Sequence, residues 1–444
     1  MPRPTLTLLL LALSACSSAD PGTDALSGGD STAAGTTFGP LGQTGDDSLT
    51  ASAPTTGDAS ATDNVTNAST GDASTGGTTD GDTGGPLLPL DAPCTLGPAA
   101  PGRLAVITND FIDPASVHVL DLATRALTPD IAASPSDPAL AWGDGKLVVI
   151  GRFGINTLEV LDDETYAPLA KLAVAIDGVL DANPQALTFG PDGRAYLSAF
   201  ASALLPIYDL DQPPADALVG SVDLAGFADR DGSPEPGVSF TCGGTLFVGI
   251  QRLVNFVPID RNQLVAIDLT SGAPIDLDPG TAGPQGLTLL GTWAKQVRLD
   301  PADPTGHTVL VLTSGVERVD LTGAGASWAV TPEVFASVGV DGYDLQAFEV
   351  AADGASAFIL ATDGDYPTSA LFKVALDGGA APTTLVSGLT TRERAIERAG
   401  DRLWIGDADP ENPRLRVLDL GQDPPLEEEP VATPGAPYLF LPIP

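Results

Sequence analysis

The chain has 444 residues and a formal net charge of −38 at neutral pH. A field of that sign repels nucleic acid and anionic lipid surfaces, so the folded part is expected to bind neither. With two His and one Met, the chain has few ligands for transition metals or haem and few histidines for acid–base catalysis. The 50 Gly and 40 Pro exclude a mainly helical fold.

A short apolar run over residues 6–13 leads at the N-terminus to the tetrapeptide Leu-Ser-Ala-Cys, which ends at Cys16. The run spans only about half of a bilayer core, so residues 1–15 are predicted to be a signal peptide. The small residues ahead of Cys16 resemble the lipobox of bacterial lipoproteins. This resemblance implies that acyl chains on Cys16 anchor the protein in the cell envelope, at the outer membrane, facing the periplasm or the cell surface. The alternative is an ordinary secretory signal cut near Ala15.

Residues 16–90 consist mainly of Thr, Gly, Ser, Ala and Asp, and the tripeptide Thr-Gly-Asp recurs three times. No Lys or Arg occurs between Arg3 and Arg103. Apolar residues are too sparse to offset the entropy of ordering the chain, so this segment is predicted to be a disordered linker. Its root-mean-square reach is on the order of 50 Å, enough to hold a domain clear of a membrane.

Residues 91–444 carry a repeat, a short apolar segment that ends in Asp and is usually followed by Leu. It occurs seven times, with steps of 41, 47, 59, 52, 57 and 42 residues. A mean step near 50 with variable spacing is typical of propeller blades and not of a rigid solenoid. We interpret the anchor carboxylates as turn groups that accept backbone N–H bonds rather than as ligands. The seven anchors are Asp121, Asp162, Asp209, Asp268, Asp320, Asp377 and Asp419.

A Gly-rich turn and a second apolar strand precede most anchors, as at Asp144, Gly145 and residues 147–150. Asp-Gly and Gly-Gly supply the positive φ that a tight hairpin needs. Apolar segments before this turn and after the anchor complete a four-stranded antiparallel unit, with strands a, b, c and d. Strand b is apolar without alternation, which requires burial on both faces of the sheet. The fold is therefore predicted to be all-β, with residues 91–444 forming a seven-bladed β-propeller.

The first and last strands of the domain are predicted to share one sheet. Residues 103–108 look like strand b, yet no strand a precedes them, and the apolar residues 437–441 belong to no blade. Pairing residues 437–441 with blade one closes the ring and removes exposed sheet edges. Deletion of the last eight residues is therefore expected to unfold the domain.

The pairing of strand b with a Val-x-Asp-Leu strand resembles the YVTN-type repeats of secreted bacterial propellers, over residues 100–444. The Tyr-Val-Thr-Asn tetrapeptide itself is absent, and residues 147–150 and 246–249 occupy its place. The resemblance implies the propeller fold but no particular activity, because such propellers serve many roles.

Candidate ligand-binding residues lie in loops expected on one face of the propeller, around the central channel. The longest of these loops includes residues 251–262, and the loops of blades two and six lie on the same face. Aromatic and Arg side chains in these loops stand out because both are enriched in recognition surfaces. A plain solvated loop is the alternative. The candidates are Arg152, Phe153, Arg252, Phe256, Arg261 and Tyr366.

Residues 229–235 alternate carboxylates around a Gly, a pattern typical of loops that bind hard cations. Asp229, Asp231 and Glu235 are candidate ligands for Ca²⁺, which takes several oxygens at about 2.4 Å. An acidic surface turn is the alternative, and the sequence requires no other cofactor.

Cys94 and Cys242 are the two cysteines left after Cys16 is assigned to lipid. In an oxidising compartment they predict one disulfide, with two buried free thiols as the alternative. Cys242 is expected at the a–b turn of blade four, and Cys94 precedes the first strand b on the same face. The nine residues from Cys94 to Arg103 reach about 30 Å, so the disulfide would lay this segment across the channel at the end that carries the a–b turns.

Two hypotheses of function follow. No catalytic residues are assigned, because two dispersed His offer no Ser-His-Asp arrangement and no cofactor motif is present. The first hypothesis is a surface-tethered, non-catalytic binding or scaffold module for a protein or a glycan. The second is a Ca²⁺-dependent propeller hydrolase or lactonase, in which a central cation polarises a substrate oxygen. Nothing in the spacing singles out inward-facing carboxylates for such a cation.

Overall fold

The computed structural model describes residues 88–444, except 99, 112, 135–136, 255–256, 324, 341–344, 363–367 and 391–393. The signal peptide, Cys16 and nearly all of the linker therefore lie outside the described residues, as do Phe256 and Tyr366.

Seven antiparallel sheets form from residues 94–443 within the described ranges, and they are the blades of a β-propeller. A short strand, β1 (Cys94–Thr95), comes first. Blade one begins with β2 (Arg103–Thr108), β3 (Ala115–Asp121) and β4 (Leu127–Ser134). Blade two contains β5 (Pro138–Gly143), β6 (Lys146–Gly151), β7 (Thr157–Asp162) and β8 (Pro168–Ala173). Blade three contains β9 (Pro184–Phe189), β10 (Ala195–Ala199), β11 (Leu204–Tyr208) and β12 (Leu218–Asp223), followed by a 3₁₀ turn at Ala225–Phe227.

Blade four has the longest connections. Its strands and its b–c hairpin are, in chain order, β13 (Pro236–Cys242), β14 (Thr245–Ile250), the hairpin β15 (Leu253–Val254) and β16 (Val257–Pro258), β17 (Gln263–Asp268), β18 (Ala273–Ile275) and β19 (Leu287–Thr288). Blade five contains β20 (Gln296–Leu299), β21 (Thr308–Leu312), β22 (Val316–Asp320) and β23 (Gly325–Val330), followed by the short helix α1 (Pro332–Ala336).

The last two blades complete the ring. Blade six contains β24 (Leu345–Val350), β25 (Ser356–Thr362), β26 (Ser369–Ala375) and β27 (Thr383–Leu389). Blade seven contains β28 (Ile396–Ala399), β29 (Arg402–Asp407), β30 (Arg414–Asp419), β31 (Leu426–Glu427) and β32 (Val431–Ala432). The final strand, β33 (Pro437–Ile443), returns to blade one.

Tight turns join strands a and b, as the sequence predicts. In blade two, Asp144 and Gly145 have φ of 50° and 68°, and they connect Gly143 to its partner Lys146 across the hairpin. Two successive positive φ values give the turn a twist that matches the twist of the two strands.

Strand b is buried on both faces because each face packs against a different neighbour. In β6, Leu147 and Val149 pack into the core shared with blade one, while Val148 and Ile150 pack into the core shared with blade three. The described residues form seven apolar cores, and each lies between two adjacent blades. One blade alone would expose both of its apolar faces, so the sheets are stable only as a ring.

The anchor aspartates close the turns after strand c, which confirms their predicted role. Asp121 Oδ1 accepts the N–H groups of Ala123 and Thr124 at 3.0 and 2.7 Å. These hydrogen bonds lower the pKa of Asp121. Each of the other six anchor aspartates accepts a hydrogen bond from the backbone N–H of the residue two positions further along the chain.

The ring is closed by the C-terminus, as predicted. Strand β33 pairs antiparallel with β2, placing Phe440 opposite Val106 and Ile443 opposite Arg103. Blade one thus combines the first and the last strands of the domain, and Phe440 packs with Trp404 in the core between blades seven and one.

The entry segment, residues 94–98 with 100 and 101, lies across one end of the channel. We call this end the turn face, because the a–b turns lie there, and the opposite end the loop face. Cys94 pairs with Cys242 on β13, and their sulfur atoms form a disulfide. The Asp91 carboxylate accepts the N–H of Gly244, and Gly97 approaches Pro442 on the opposite side of the ring. The segment therefore runs from blade four to blade one over the turn face.

Candidate functional site

The channel opens on the loop face into a cavity of about 440 Å³, which we call the mouth. Strand a of every blade begins on this face and runs along the channel toward the turn face. Residues just before strand a, or at its start, are therefore the ones that reach the axis, together with the b–c loops of blades two, three and four.

The mouth contains a cluster of basic side chains in an acidic protein. Arg152, Lys295 and Arg394 line it with one carboxylate, Asp137. The described lining residues thus carry a formal charge of +2, against −38 for the whole chain. The Arg152 guanidinium forms an ion pair with Asp137 and donates to the side-chain oxygen of Gln185 at 3.1 Å.

Amide and aromatic side chains make up most of the remaining lining. The Gln185 amide donates to the Asn183 side-chain oxygen at 2.8 Å, and that oxygen also accepts the N–H of Phe153 at 3.3 Å. Phe153 is 58% exposed at the rim. These groups offer paired donors and acceptors beside flat apolar surfaces. The amide and aromatic residues are Asn183, Gln185, Gln251, Phe153, Phe200 and Trp293.

The structure brings together only part of the predicted ligand-binding set. Arg152 and Phe153 line the mouth. Arg252 is instead paired with Asp260 at 3.0 Å within its own loop, and Arg261 is not among the lining residues. The hairpin of β15 and β16 ties Leu253 to Pro258, so this loop forms a local structure of its own.

Most residues of the mouth were not predicted, because the binding site was expected in the longest loops and these residues precede strand a instead. Asp137 comes directly before β5, Lys295 directly before β20, and Arg394 two residues before β28. The available signal was position in the blade: a polar or basic residue next to the start of strand a lies near the axis whatever the loop length.

Below the mouth, a second cavity of about 840 Å³ lies between the innermost strands. Arg298 on β20 donates through Nε to Glu349 on β24 at 2.8 Å, and Nη2 reaches Glu397 on β28 at 3.3 Å. Burial and the neighbouring charge of Glu349 raise the pKa of Glu397 well above its usual range. This network connects three consecutive blades across their inner edges.

The predicted cation loop brings its three carboxylates together. One oxygen from each of Asp229, Asp231 and Glu235 lies within 4.8 Å of the others. The N–H of Asp231 donates to Asp229 Oδ1, and Leu253 N–H donates to Glu235 Oε2, each at 3.0 Å. Asp229 Oδ2 is buried and accepts no hydrogen bond from the described residues.

The electrostatics of this loop favour a compensating positive charge. Glu235 is 4% exposed, and burial raises its pKa to about 7. Burial and Asp231 also raise the pKa of Asp229. A bound cation or a proton would neutralise the cluster. The loop contacts the rim of the mouth, because Pro234 O accepts the N–H of Gln251 at 3.3 Å.

Neither histidine lies at the mouth. His118 is fully buried in blade one, where it bonds to the Thr108 hydroxyl at 2.7 Å and accepts the N–H of Asp130 at 3.0 Å. Burial lowers its pKa. His307 lies in the a–b connection of blade five, on the turn face.

No family model matches the sequence, and no curated protein matches it. Among solved structures, the chain is similar to a putative 6-phosphogluconolactonase from Bacteroides fragilis, with a TM-score of 0.52 and 12% identity over 80% of this chain and 99% of that chain. It is also similar to a protein from Lactobacillus plantarum, with a TM-score of 0.47 and 14% identity over 77% and 98%. At such low identity the likeness shows the fold alone, that of a β-propeller protein. None of the helices in the described ranges is long and apolar enough to cross a membrane.

Proposed function

We propose that this chain is a lipid-anchored protein of the cell envelope whose propeller binds a protein or glycan partner through the mouth, without catalysis. One observation carries the proposal: the described residues 94–98, 100 and 101 lie across the channel at the turn face, whereas the mouth opens at the loop face. The loop face is therefore the less obstructed side from which a group of a partner can enter the channel.

The distribution of exposed apolar side chains supports the loop face as the binding surface. The other exposed large apolar residues among those described lie on strands, and Leu218, Leu299 and Leu426 are at the turn-face ends of theirs, so the loop face carries the larger share. Exposed apolar groups gathered on one face are typical of interaction sites. Those on the loop face are Phe111, Phe153, Leu180, Val257, Ile259 and Val338.

The composition of the mouth favours binding over catalysis. Its described lining includes no Ser, Cys or His, and its carboxylate, Asp137, is held by Arg152. A nucleophile or a general base needs a partner that activates it, and the described part of the lining offers no such pair. Among the described lining residues, Asp137 is the one carboxylate that could face a central cation, and it already forms an ion pair with Arg152.

A photo-crosslinking group at the rim tests the proposed binding. We expect benzoylphenylalanine in place of Phe153 to give a specific crosslinked product in intact cells, because this ring is exposed at the mouth. The same group in place of Leu169 on the outer strand β8, which is 55% exposed, is the matched control and should give none. Equal products from both positions, or from neither, would contradict the proposal.

Replacement of the lipid-bearing residue tests the anchor. We expect Cys16→Ser to abolish incorporation of labelled palmitate and to release the protein from the membrane fraction, because a thioether cannot form on Ser. Ser17→Ala, one residue away, should retain both. Label that persists in Cys16→Ser would exclude the anchor.

We further propose that Asp229, Asp231 and Glu235 hold a Ca²⁺ ion with a structural role. The proposal is supported by the grouping of the three carboxylates and by the buried Asp229 oxygen, which accepts no hydrogen bond from any described residue. A cation there would bind the d–a loop of blade four to the rim of the mouth, and it would stabilise the folded state by mass action.

Thermal unfolding of the full chain with Ca²⁺ tests this site. At a Ca²⁺ concentration about a hundred times Kd, the expected gain is about 2.7 kcal/mol. Glu235→Gln should remove the gain, while Glu164→Gln, an exposed carboxyl in blade two, should retain it. An unchanged Tm for the unsubstituted chain in calcium and chelator would contradict the site.

A further inference from the structure

Three exposed apolar side chains follow one edge of the mouth, and their surroundings indicate what kind of molecule covers them. They are Phe111, Phe153 and Leu180, and we call them the rim patch. We propose that the rim patch binds a protein partner through an apolar segment that also carries Lys or Arg. This inference rests on the proposed binding function and adds the class of partner to it.

The rim patch is continuous from blade one to blade two. The Phe111 ring packs edge-on against the Tyr438 ring, with centroids 5.2 Å apart, and the Tyr438 hydroxyl lies 3.2 Å from Nη2 of Arg152. Phe153 is the next residue in the b–c loop of blade two. One ring and one guanidinium therefore separate the two Phe side chains, so a single partner segment can cover both.

Hydrogen bonds between two loops hold the rest of the rim patch in place. The N–H of Phe153 donates to Asn183 Oδ1 at 3.3 Å. The N–H of Gly154 donates to both carboxylate oxygens of Asp181, at 3.1 and 3.0 Å. Leu180 comes directly before Asp181 in the second loop. Loops that are ordered before binding lose less entropy when a partner arrives, so Phe153 and Leu180 are presented as preorganised anchors.

The exposure of the rim patch argues for apolar groups on the partner. Phe111 is 38% exposed, and the Leu180 side chain is exposed completely. Single apolar residues on a surface are common, but three on adjacent loops at the edge of a cavity are typical of an interaction site. A glycan can stack on the two Phe rings, whereas Leu180 offers it neither a flat face nor a hydrogen bond. The aliphatic side chain therefore favours a protein.

The charge around the rim patch indicates the polar part of the partner. The loop-face connections from blade one to blade three contain five Asp and one Arg, and the Arg forms an ion pair with one of the five. Asp113, Asp177 and Asp181 form no ion pair with any residue in the described ranges. These connections are residues 109–114, 135–137, 152–156 and 174–183.

Opposite charges across an interface speed association and exclude wrong partners. The carboxylates beside the rim patch therefore favour Lys or Arg next to the apolar side chains of the partner. A second copy of this chain would bring two surfaces of the same sign together, so the partner is a different protein.

A selection from random dodecapeptides displayed on phage tests the inference on the full-length protein. We expect the retained peptides to be enriched in Phe, Trp and Leu together with Lys and Arg, and depleted in Asp and Glu. Binding of a retained peptide should weaken as salt rises, because the charges are exposed to solvent.

Matched variants locate the binding of a retained peptide. Phe153→Ser and Leu180→Ser should each weaken it about tenfold, because each removes a central apolar contact. Leu169→Ser, on the outer strand β8 with a side chain that is 55% exposed, should leave it unchanged. Asp177→Asn should weaken binding at low salt but not at high salt, and Glu164→Gln, on the turn face, should do neither. All five side chains lie at the surface, so each variant should melt as the unsubstituted chain does.

Several outcomes would overturn the inference. They are retained peptides without basic residues, rim variants that bind as Leu169→Ser does, and a glycan on an array that binds the unsubstituted chain but not Phe153→Ser. A dimer in sedimentation that dissociates in both rim variants would show that a second copy occupies the patch. If crosslinking at position 153 succeeds while the rim variants retain peptide binding, only this inference fails. If crosslinking also fails, the proposed function fails with it.

Discussion

A chain that ends at Ala436 is expected to be unfolded. The deletion removes β33, whose residues Tyr438, Phe440 and Ile443 are at most 7% exposed, and it leaves β2 as an unpaired edge next to the channel. Loss of large buried side chains costs about 3 kcal/mol or more each, so the total approaches the whole stability of a typical domain, about 5–15 kcal/mol. Circular dichroism and thermal melting should show no cooperative transition.

Two controls separate ring closure from a general effect of shortening the chain. A synthetic peptide of residues 437–444 should restore the transition when added to the truncated chain, because it can occupy the edge of β2. Leu426→Ser, on the outermost strand β31 where the side chain is 61% exposed, should change the stability of the full chain by less than about 0.5 kcal/mol. A truncated chain that melts like the full chain would show that blade one does not need β33.

The second large effect is expected from the disulfide. Cys94→Ala together with Cys242→Ala opens a covalent loop with a sequence separation of 148 residues. A closed loop of that size restricts the unfolded chain and is worth up to about 5 kcal/mol. We expect the double variant to melt cooperatively but at a lower temperature, with faster hydrogen exchange in the entry segment, residues 94–101.

Reduction provides the matched control for the disulfide. Dithiothreitol should lower the Tm of the unsubstituted chain to that of the double variant, and it should leave the double variant unchanged. Mass analysis under non-reducing conditions should find Cys94 and Cys242 joined. Two free thiols, or a Tm that is insensitive to dithiothreitol, would refute the covalent hold on the entry segment.

The fold could be predicted because its constraints are local and repeated. An aspartate that closes a turn, an Asp-Gly hairpin and a strand apolar on both faces recur in the chain, and each has one simple structural meaning. The first strand b was predicted with the same bounds as β2, residues 103–108, and the unclaimed segment 437–441 became part of β33.

The mouth could not be predicted in the same way, because it depends on distances between blades. Asp137, Lys295 and Arg394 are far apart in sequence, and only the closed ring brings them around one cavity. The network of Arg298 with Glu349 and Glu397 is equally non-local. In contrast, Asp229, Asp231 and Glu235 come together as the sequence indicates, because one short loop carries all three.

A crystal structure of the full-length protein tests the central claim most directly. It should show seven four-stranded sheets around one channel, with the C-terminal strand in the first sheet, residues 94–101 across the turn face and the basic mouth open on the other face. A different number of sheets, or a channel open at both ends, would contradict the fold and the binding function proposed from it.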